Sequence, residues 1–324
     1  RTVPYGADTE ILPGVSLRLC DAGHILGSAI VQLRVATNSQ RKTVVFSGDL
    51  GHAGAPILRD PQRVTGADLV VLESTYGDRN HRSWDATWAE LAQVFNNTER
   101  IRGNILIPAF AVGRSQEILY IMKQHYREWR LDRWRVFLDS PMAIEATEVY
   151  SRHWAEHDQD AARLRRGGNP FALPNLHITR TPAQSMAINR INAGAIIIAG
   201  SGMCTGGRIR HHLKHNIWRE QTQIVFVGFQ AAGTLGRRLV DGARHIRLWG
   251  ETMRVAARVH TIGGLSAHAG QAQLLGWYEG FRNRPPVALV HGEVGAMRSL
   301  GALLKKRYGA QVSLPTVRSS LDVV

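Results

Sequence analysis

The sequence predicts an α/β fold in which one α/β segment is inserted into another. Three observations lead there. Short apolar runs rich in Val and Ile alternate with helical patterns along the 324 residues, the rhythm of strands separated by helices. Four of those runs finish alike, on small residues together with polar or ionisable ones. The stretch 79–240 carries a complete α/β pattern of its own, while 1–78 and 241–324 read as β-rich pieces that end in helices. A chain this long is large for a single core. With neither an internal repeat nor a low-complexity linker in it, an insertion is favoured over domains in tandem.

In order along the chain, TVVFSGD (43–49) and DLVVLES (68–74) are strands of the first flank. The middle segment opens with the amphipathic helix SWDATWAELAQVFNNTER. It continues through the strand-like GNILIPAF, a helix starting at GRSQEILYIMKQ, a charged region around 150–168 that includes RLRRGG, and the strand AIIIAGS (195–201). VALVHGE (287–293) is the strand of the last flank. In α/β sheets the ligand crevice lies beyond the carboxyl ends of the strands, so these endings are where chemistry is expected.

Composition narrows the classes. Lys and Arg number 40 against 26 Asp and Glu, an excess of +14, which points to a polyanionic partner. In QHYREWRLDRWRVF (124–137) Arg could meet phosphate and Trp could stack, although an amphipathic helix followed by a strand has the same look. Cys20 and Cys204 are the only cysteines, too few for a disulfide framework and natural in a reducing compartment. No apolar run approaches the ~18–20 residues of a membrane span, and RTVPYGADTE is not a hydrophobic signal segment. A cytoplasmic setting is the expectation.

Several of the strand endings carry ionisable groups. His24 sits among small apolar residues in CDAGHILGSAI, where a buried imidazole needs a partner. Asp49 ends TVVFSGD ahead of LGHAG, as a turn or cap aspartate or as a ligand. His291 follows VALV and precedes Gly292 and Glu293, as a structural histidine or as a ligand. Two histidines and an aspartate on loops next to strands are zinc-type donors. His268, in GGLSAHAGQAQLLGW, is expected in the first turn of a helix capped by Ser266, which disfavours imidazolium unless a carboxylate is near. Glu73 could be that carboxylate, or could pair with Arg79 or Arg82 or act as a cap.

The stretch AGSGMCTGGRIRHHLKHNIW (199–218) runs from a strand through a glycine-rich loop into a helix. Such a loop is a tight turn or a phosphate cradle, and it matches neither a P-loop nor a dinucleotide fingerprint. Ile209, Leu213 and Ile217 form the apolar face of the helix, while Arg208, Arg210, His211, His212, Lys214 and His215 form a polar face suited to a phosphate backbone. His211 and His215 have metal-pair spacing without an accompanying HExxH glutamate, so a solvated or RNA-facing role is favoured.

Taken in order, DAGHILGSA, FSGDLG, LESTYGDR, GLSAHA and LVHGE closely resemble the later motifs of metallo-β-lactamase-fold nucleases with a β-CASP insertion. The blocks PAFAVGRSQEILY, DSPMA, SGMCTGGRIRHHLKH and VGFQAAGTLGRRL look like the bacterial and archaeal relatives of the nuclease subunit of the pre-mRNA 3′-end cleavage factor. The resemblance spans nearly the whole chain. It implies a metallo-β-lactamase αββα sandwich formed by 1–78 and 241–324, with an inserted β-CASP α/β domain at 79–240. It further implies two Zn2+ per complete site, with His24 a ligand of one, His291 of the other, and Asp49 bridging both. Glu73 and His268 are implied in proton transfer, and Arg114, Ser201, Gly202, Arg208 and His211 in holding single-stranded RNA. A histidine at the position of His291 is typical of members acting on RNA. The HxHxDH signature of that family does not occur in this sequence, and 23 residues precede His24. The expectation is therefore an N-terminally incomplete sandwich that by itself does not hold zinc tightly.

The leading expectation is a two-zinc ribonuclease, acting by endonucleolytic or 5′-exonucleolytic cleavage, with a homodimer left open. The alternative is a non-catalytic RNA-binding scaffold of the same fold. A small-molecule hydrolase accounts poorly for the basic charge.

Overall fold

The computed structural model describes residues 2–36, 40–165 and 168–323. The chain begins with β1 (Asp8–Leu12), β2 (Val15–Asp21), β3 (Ala29–Ala36), β4 (Arg41–Phe46) and β5 (Leu69–Glu73). Next come α1 (Trp84–Arg100), β6 (Ile105–Pro108), α2 (Arg114–Gln124), β7 (Arg135–Leu138), α3 (Pro141–Arg152), α4 (Gln159–Arg165), β8 (Leu176–Ile178) and α5 (Pro182–Ile188). These lead to β9 (Ala195–Ala199), α6 (Ile209–Asn216), β10 (Gln223–Phe226), α7 (Leu235–Val240), β11 (His245–Leu248), β12 (Glu251–Arg254) and β13 (Arg258–Thr261). The chain closes with α8 (Gln271–Glu279), β14 (Val287–Val290), α9 (Val294–Tyr308) and β15 (Val312–Ser313). The strand-like runs singled out in the sequence fall on β4, β5, β6, β9 and β14. Part of RLRRGG lies outside the described residues.

Two compact units result, Arg1–His81 with Ala267–Val324 and Arg82–Ser266. The sequence reading returned the chain to the first unit at 241. The structure keeps 241–266 in the second, because β13 pairs with β10 from Gln223↔Arg258 to Phe226↔Thr261.

The first unit holds a sheet of order β1-β2-β3-β4-β5-β14-β15. Its first four strands pair antiparallel, and β4, β5, β14 and β15 then run parallel. Val45, Val70, Leu72 and Leu289 of this sheet share a core with Leu274 and Tyr278 of α8 and Leu300 and Leu304 of α9, each large apolar side chain contributing roughly 1.5–3 kcal/mol on burial. Leu19, Val31 and Phe46 stand side by side across β2, β3 and β4, as do Leu17, Leu33 and Val44. All of these are only partly buried or exposed, an apolar face of the kind a second layer covers in a sandwich.

The second unit is built on a sheet of order β13-β10-β6-β9-β7-β8, paired in parallel throughout. Parallel strands carry helices on both faces, so they read as continuous apolar runs. AIIIA and QIVF are buried at every position. Helix α1 starts where Ser83 Oγ accepts the Ala86 amide at 3.3 Å, the capping bond that serine provides.

Candidate metal centre

Strands β4, β5 and β14 are parallel neighbours, so their carboxyl ends open on one rim of the first unit. Asp49 lies just past β4, Glu73 is the last residue of β5, and His291 follows β14 directly. His24 comes from the loop between β2 and β3, and His268 from the segment ahead of α8.

Two glycines allow the loops to meet. An added Cβ on Gly51 would lie 2.0 Å from the Gly23 carbonyl oxygen, so the loop carrying Asp49 rests on the backbone beside His24. On Gly292 it would lie 2.5 Å from the Ser74 carbonyl oxygen, which sets the His291 loop against the exit of β5. His268 is fixed by an antiparallel bridge to Gly51. The His52 amide donates to the Ala267 carbonyl at 3.0 Å and the Ala269 amide to the Leu50 carbonyl at 2.8 Å. His291 has φ +53°, a left-handed conformation that is uncommon outside glycine. The Thr75 hydroxyl donates to its carbonyl at 3.1 Å.

Asp49 presents one carboxylate oxygen to each imidazole. Its Oδ2 is 3.8 Å from His24 Nε2 and its Oδ1 is 3.3 Å from His291 Nδ1. Donor atoms of His24, Asp49 and His268 lie within 4.8 Å of one another, as do those of Glu73, His268 and His291. His268 Nδ1 is already engaged, at 3.1 Å from Glu73 Oε1 and 3.4 Å from Thr75 Oγ1. Glu73 is 1% exposed and also accepts the Leu50 amide at 2.8 Å and the Thr75 amide at 3.2 Å.

The electrostatics follow from this packing. Burial and then the neighbouring His268 push His24 down to about 4, against the pull of Asp49. It is therefore neutral at pH 7, as an imidazole ligand must be. Burial raises the Glu73 carboxyl, but its hydrogen bond and charge interaction with His268, joined by Thr75, outweigh that and hold it below the ordinary carboxylate range. Two imidazoles and a carboxylate fit zinc in donor chemistry, although they fall short of the four donors that zinc takes.

Several expectations need correction. His268 is not in a helical turn: α8 begins at Gln271 behind Gly270, so the helix terminus does not act on it as supposed. The expected contact of Glu73 with His268 is present, and only its alternatives fail: Arg79 pairs with Asp78 and Arg82 with Glu90. His52 and His81, isolated in the sequence, are neighbours with ring centroids 4.5 Å apart, and His81 Nε2 donates to the His268 carbonyl at 2.9 Å. Trp129 and Trp134 are buried and so pack in the core instead of offering a stacking surface.

The residues expected at phosphates lie in the second unit and fare unevenly. Arg114 is 5% exposed and forms an ion pair with Glu117, a buried cation satisfied internally. Arg208 donates to Asp139 Oδ1 at 2.7 Å, to the Thr179 carbonyl at 2.9 Å and to the Arg180 carbonyl at 3.0 Å, so its fork serves the protein. Gly202 is buried against Phe110, and the Ser201 hydroxyl accepts the Gly206 amide at 3.1 Å within the loop. His211 and His215 are exposed, but His212, assigned to the polar face, is fully buried. Its Nε2 is 2.6 Å from Asp139 Oδ2.

Sequence reasoning missed Thr75, His81 and Asp139. Asp139 directly follows β7 in DSPMA, another polar strand ending. Its buried carboxylate also accepts Thr179 Oγ1 at 2.5 Å and Ser185 Oγ at 2.6 Å.

An α/β unit with mixed strand directions and a second unit built on a parallel sheet are consistent with the metallo-β-lactamase fold carrying a β-CASP domain. The chain belongs to the β-CASP metallo-β-lactamase ribonuclease family. Residues 115–239 match the Beta-Casp domain and residues 252–315 the Zn-dependent metallo-hydrolase RNA specificity domain. Over 317 residues it is 42% identical to Ribonuclease TTHA0252 of Thermus thermophilus, covering 97% of this chain and 70% of that protein. It is 34% identical over 337 residues to the transcription termination factor FttA of Pyrococcus abyssi, covering 100% of this chain and 50% of that protein. The corresponding factor of Methanococcus maripaludis is 30% identical over 334 residues, with 52% of it covered. The chain thus spans about half the length of these archaeal relatives. Among the described residues no helix is long and apolar enough to cross a membrane.

Proposed function

We propose that this chain carries part of a two-zinc centre that hydrolyses RNA phosphodiester bonds in RNA processing or decay. The observation that carries the reading is Asp49, whose two carboxylate oxygens face different histidines, His24 and His291. His24 and Asp49 would hold one cation, Asp49 and His291 the other. When bound, such cations supply Lewis-acid polarisation of the phosphodiester and of the attacking water.

The remaining residues handle the proton. Glu73 accepts from His268 Nδ1, which fixes the orientation and tautomer of the ring. Nε2 is then the atom that delivers a proton to the departing 3′ oxygen, leaving a 5′ phosphate and a 3′ hydroxyl. Thr75 keeps His268 and His291 in register through one hydroxyl. The formal charge of +14 supports a polyanionic substrate, and the RNA-specificity match at 252–315 supports RNA.

Zinc content and cleavage of single-stranded RNA, both measured on the full-length protein, test this together. Asp49→Ala is expected to lower both, each by more than about tenfold, since it removes a donor from both cations. Cleavage that survives Asp49→Ala contradicts the reading, and RNA binding with neither zinc uptake nor cleavage replaces it with the scaffold reading.

A further inference from the structure

The β11–β12 hairpin of the second unit presents an exposed indole in cationic surroundings. Its inward residues Ile246, Leu248 and Met253 pack in the core with Ile209 and Leu213 of α6. On its outward side His245 stands opposite Arg254 and Arg247 opposite Thr252, and all four are exposed. A histidine facing an arginine across two strands adds nothing to the hairpin and becomes unfavourable when charged. The nearby acids do not offset it: Glu251 pairs with Lys214 at 2.7 Å and Asp241 with Arg237 at 2.8 Å.

Trp249 is at the tip of this hairpin and 49% exposed. Its ring stacks on His211 with centroids 4.6 Å apart and planes 28° apart, and the Arg210 guanidinium carbon lies 4.9 Å from its centroid. An exposed tryptophan that helix α6 already holds in place loses little freedom when a ligand arrives.

We propose that Trp249, braced by His211 and Arg210, is a stacking platform for a base of single-stranded RNA, with Arg247 and Arg254 engaging the adjoining phosphates. The inference rests on RNA being the substrate and adds a contact outside the metal centre. Cations around a fixed aromatic are the features that bind single strands without sequence preference. A partner protein would instead be met by apolar neighbours around the indole, and here the outward hairpin positions are His245, Arg247, Thr252 and Arg254, none of them apolar.

The test is the affinity of the full chain for a labelled single-stranded RNA and for the same sequence as a duplex, across a salt series. Trp249→Ala is expected to weaken single-strand binding by about five- to a hundredfold, to leave duplex binding unchanged, and to leave the salt slope unchanged. Trp249→Phe restores most of the loss. Arg247→Ala with Arg254→Ala reduces the salt slope by roughly 0.7 per phosphate contact. Wild-type affinity of Trp249→Ala for the single strand overturns the platform and leaves the hydrolase reading intact. Failure of the unaltered chain to bind RNA overturns both.

Discussion

His268→Ala is expected to lower the rate of RNA cleavage by about 10²–10⁴-fold, the range of a lost general acid. The loss falls on kcat, with KM little changed, because the proton is delivered only as the bond breaks. Glu73→Gln should act in the same direction through His268, since it weakens the hydrogen bond that positions the ring. The kcat-against-KM split, with denaturant unfolding of both variants unchanged, separates this role from a structural one. Cleavage by His268→Ala at the unaltered rate contradicts the assignment.

The second large effect is on stability. Asp139 is fully buried and accepts from Arg208, His212, Thr179 and Ser185. Asp139→Ala leaves Arg208 and the fully buried His212 without their anion, and is expected to cost about 3–5 kcal/mol in denaturant unfolding, as for a broken buried ion pair. Burial works against ionisation of Asp139, yet the hydrogen bonds from His212, Ser185 and Thr179 prevail and hold its carboxyl at about 2. The unfolded chain titrates near the ordinary value of about 3.9. Asp139 therefore stabilises the fold fully above about pH 4, and its contribution fades as pH falls towards 2. Asp139→Asn should flatten the acid limb of the stability curve in that window. A steep limb retained in Asp139→Asn assigns the acid sensitivity to other carboxylates, Glu73 among them.

Much of this is legible in the sequence. Val/Ile runs and their polar endings located β4, β5, β9 and β14 and placed Asp49, Glu73 and His291 at strand ends, because parallel strands expose their carboxyl termini together. His24 was legible as a histidine in need of a partner. The order of strands was not, since β5 pairs with β14 across some two hundred residues of chain and no local pattern encodes that register. Arg114 and Arg208 show the same limit. Charge alone suggested phosphate, whereas Glu117 and Asp139, brought close by folding, decide where the guanidinium groups go. His212 was assigned by helical periodicity to a polar face, and a buried aspartate on another strand reversed that. The position of His268 depended on where α8 begins, and the helix starts at Gln271 behind a glycine cap, beyond the predicted serine.

The central claim is that His24, Asp49 and His291, far apart in sequence, together ligate zinc. X-ray absorption at the zinc edge of the loaded protein tests it most directly. The account predicts a first shell of nitrogen and oxygen near 2.0–2.2 Å with imidazole scattering, no sulfur from the buried Cys20 or Cys204, and loss of imidazole signal in both His24→Ala and His291→Ala. A sulfur shell, or a spectrum that neither replacement changes, contradicts it.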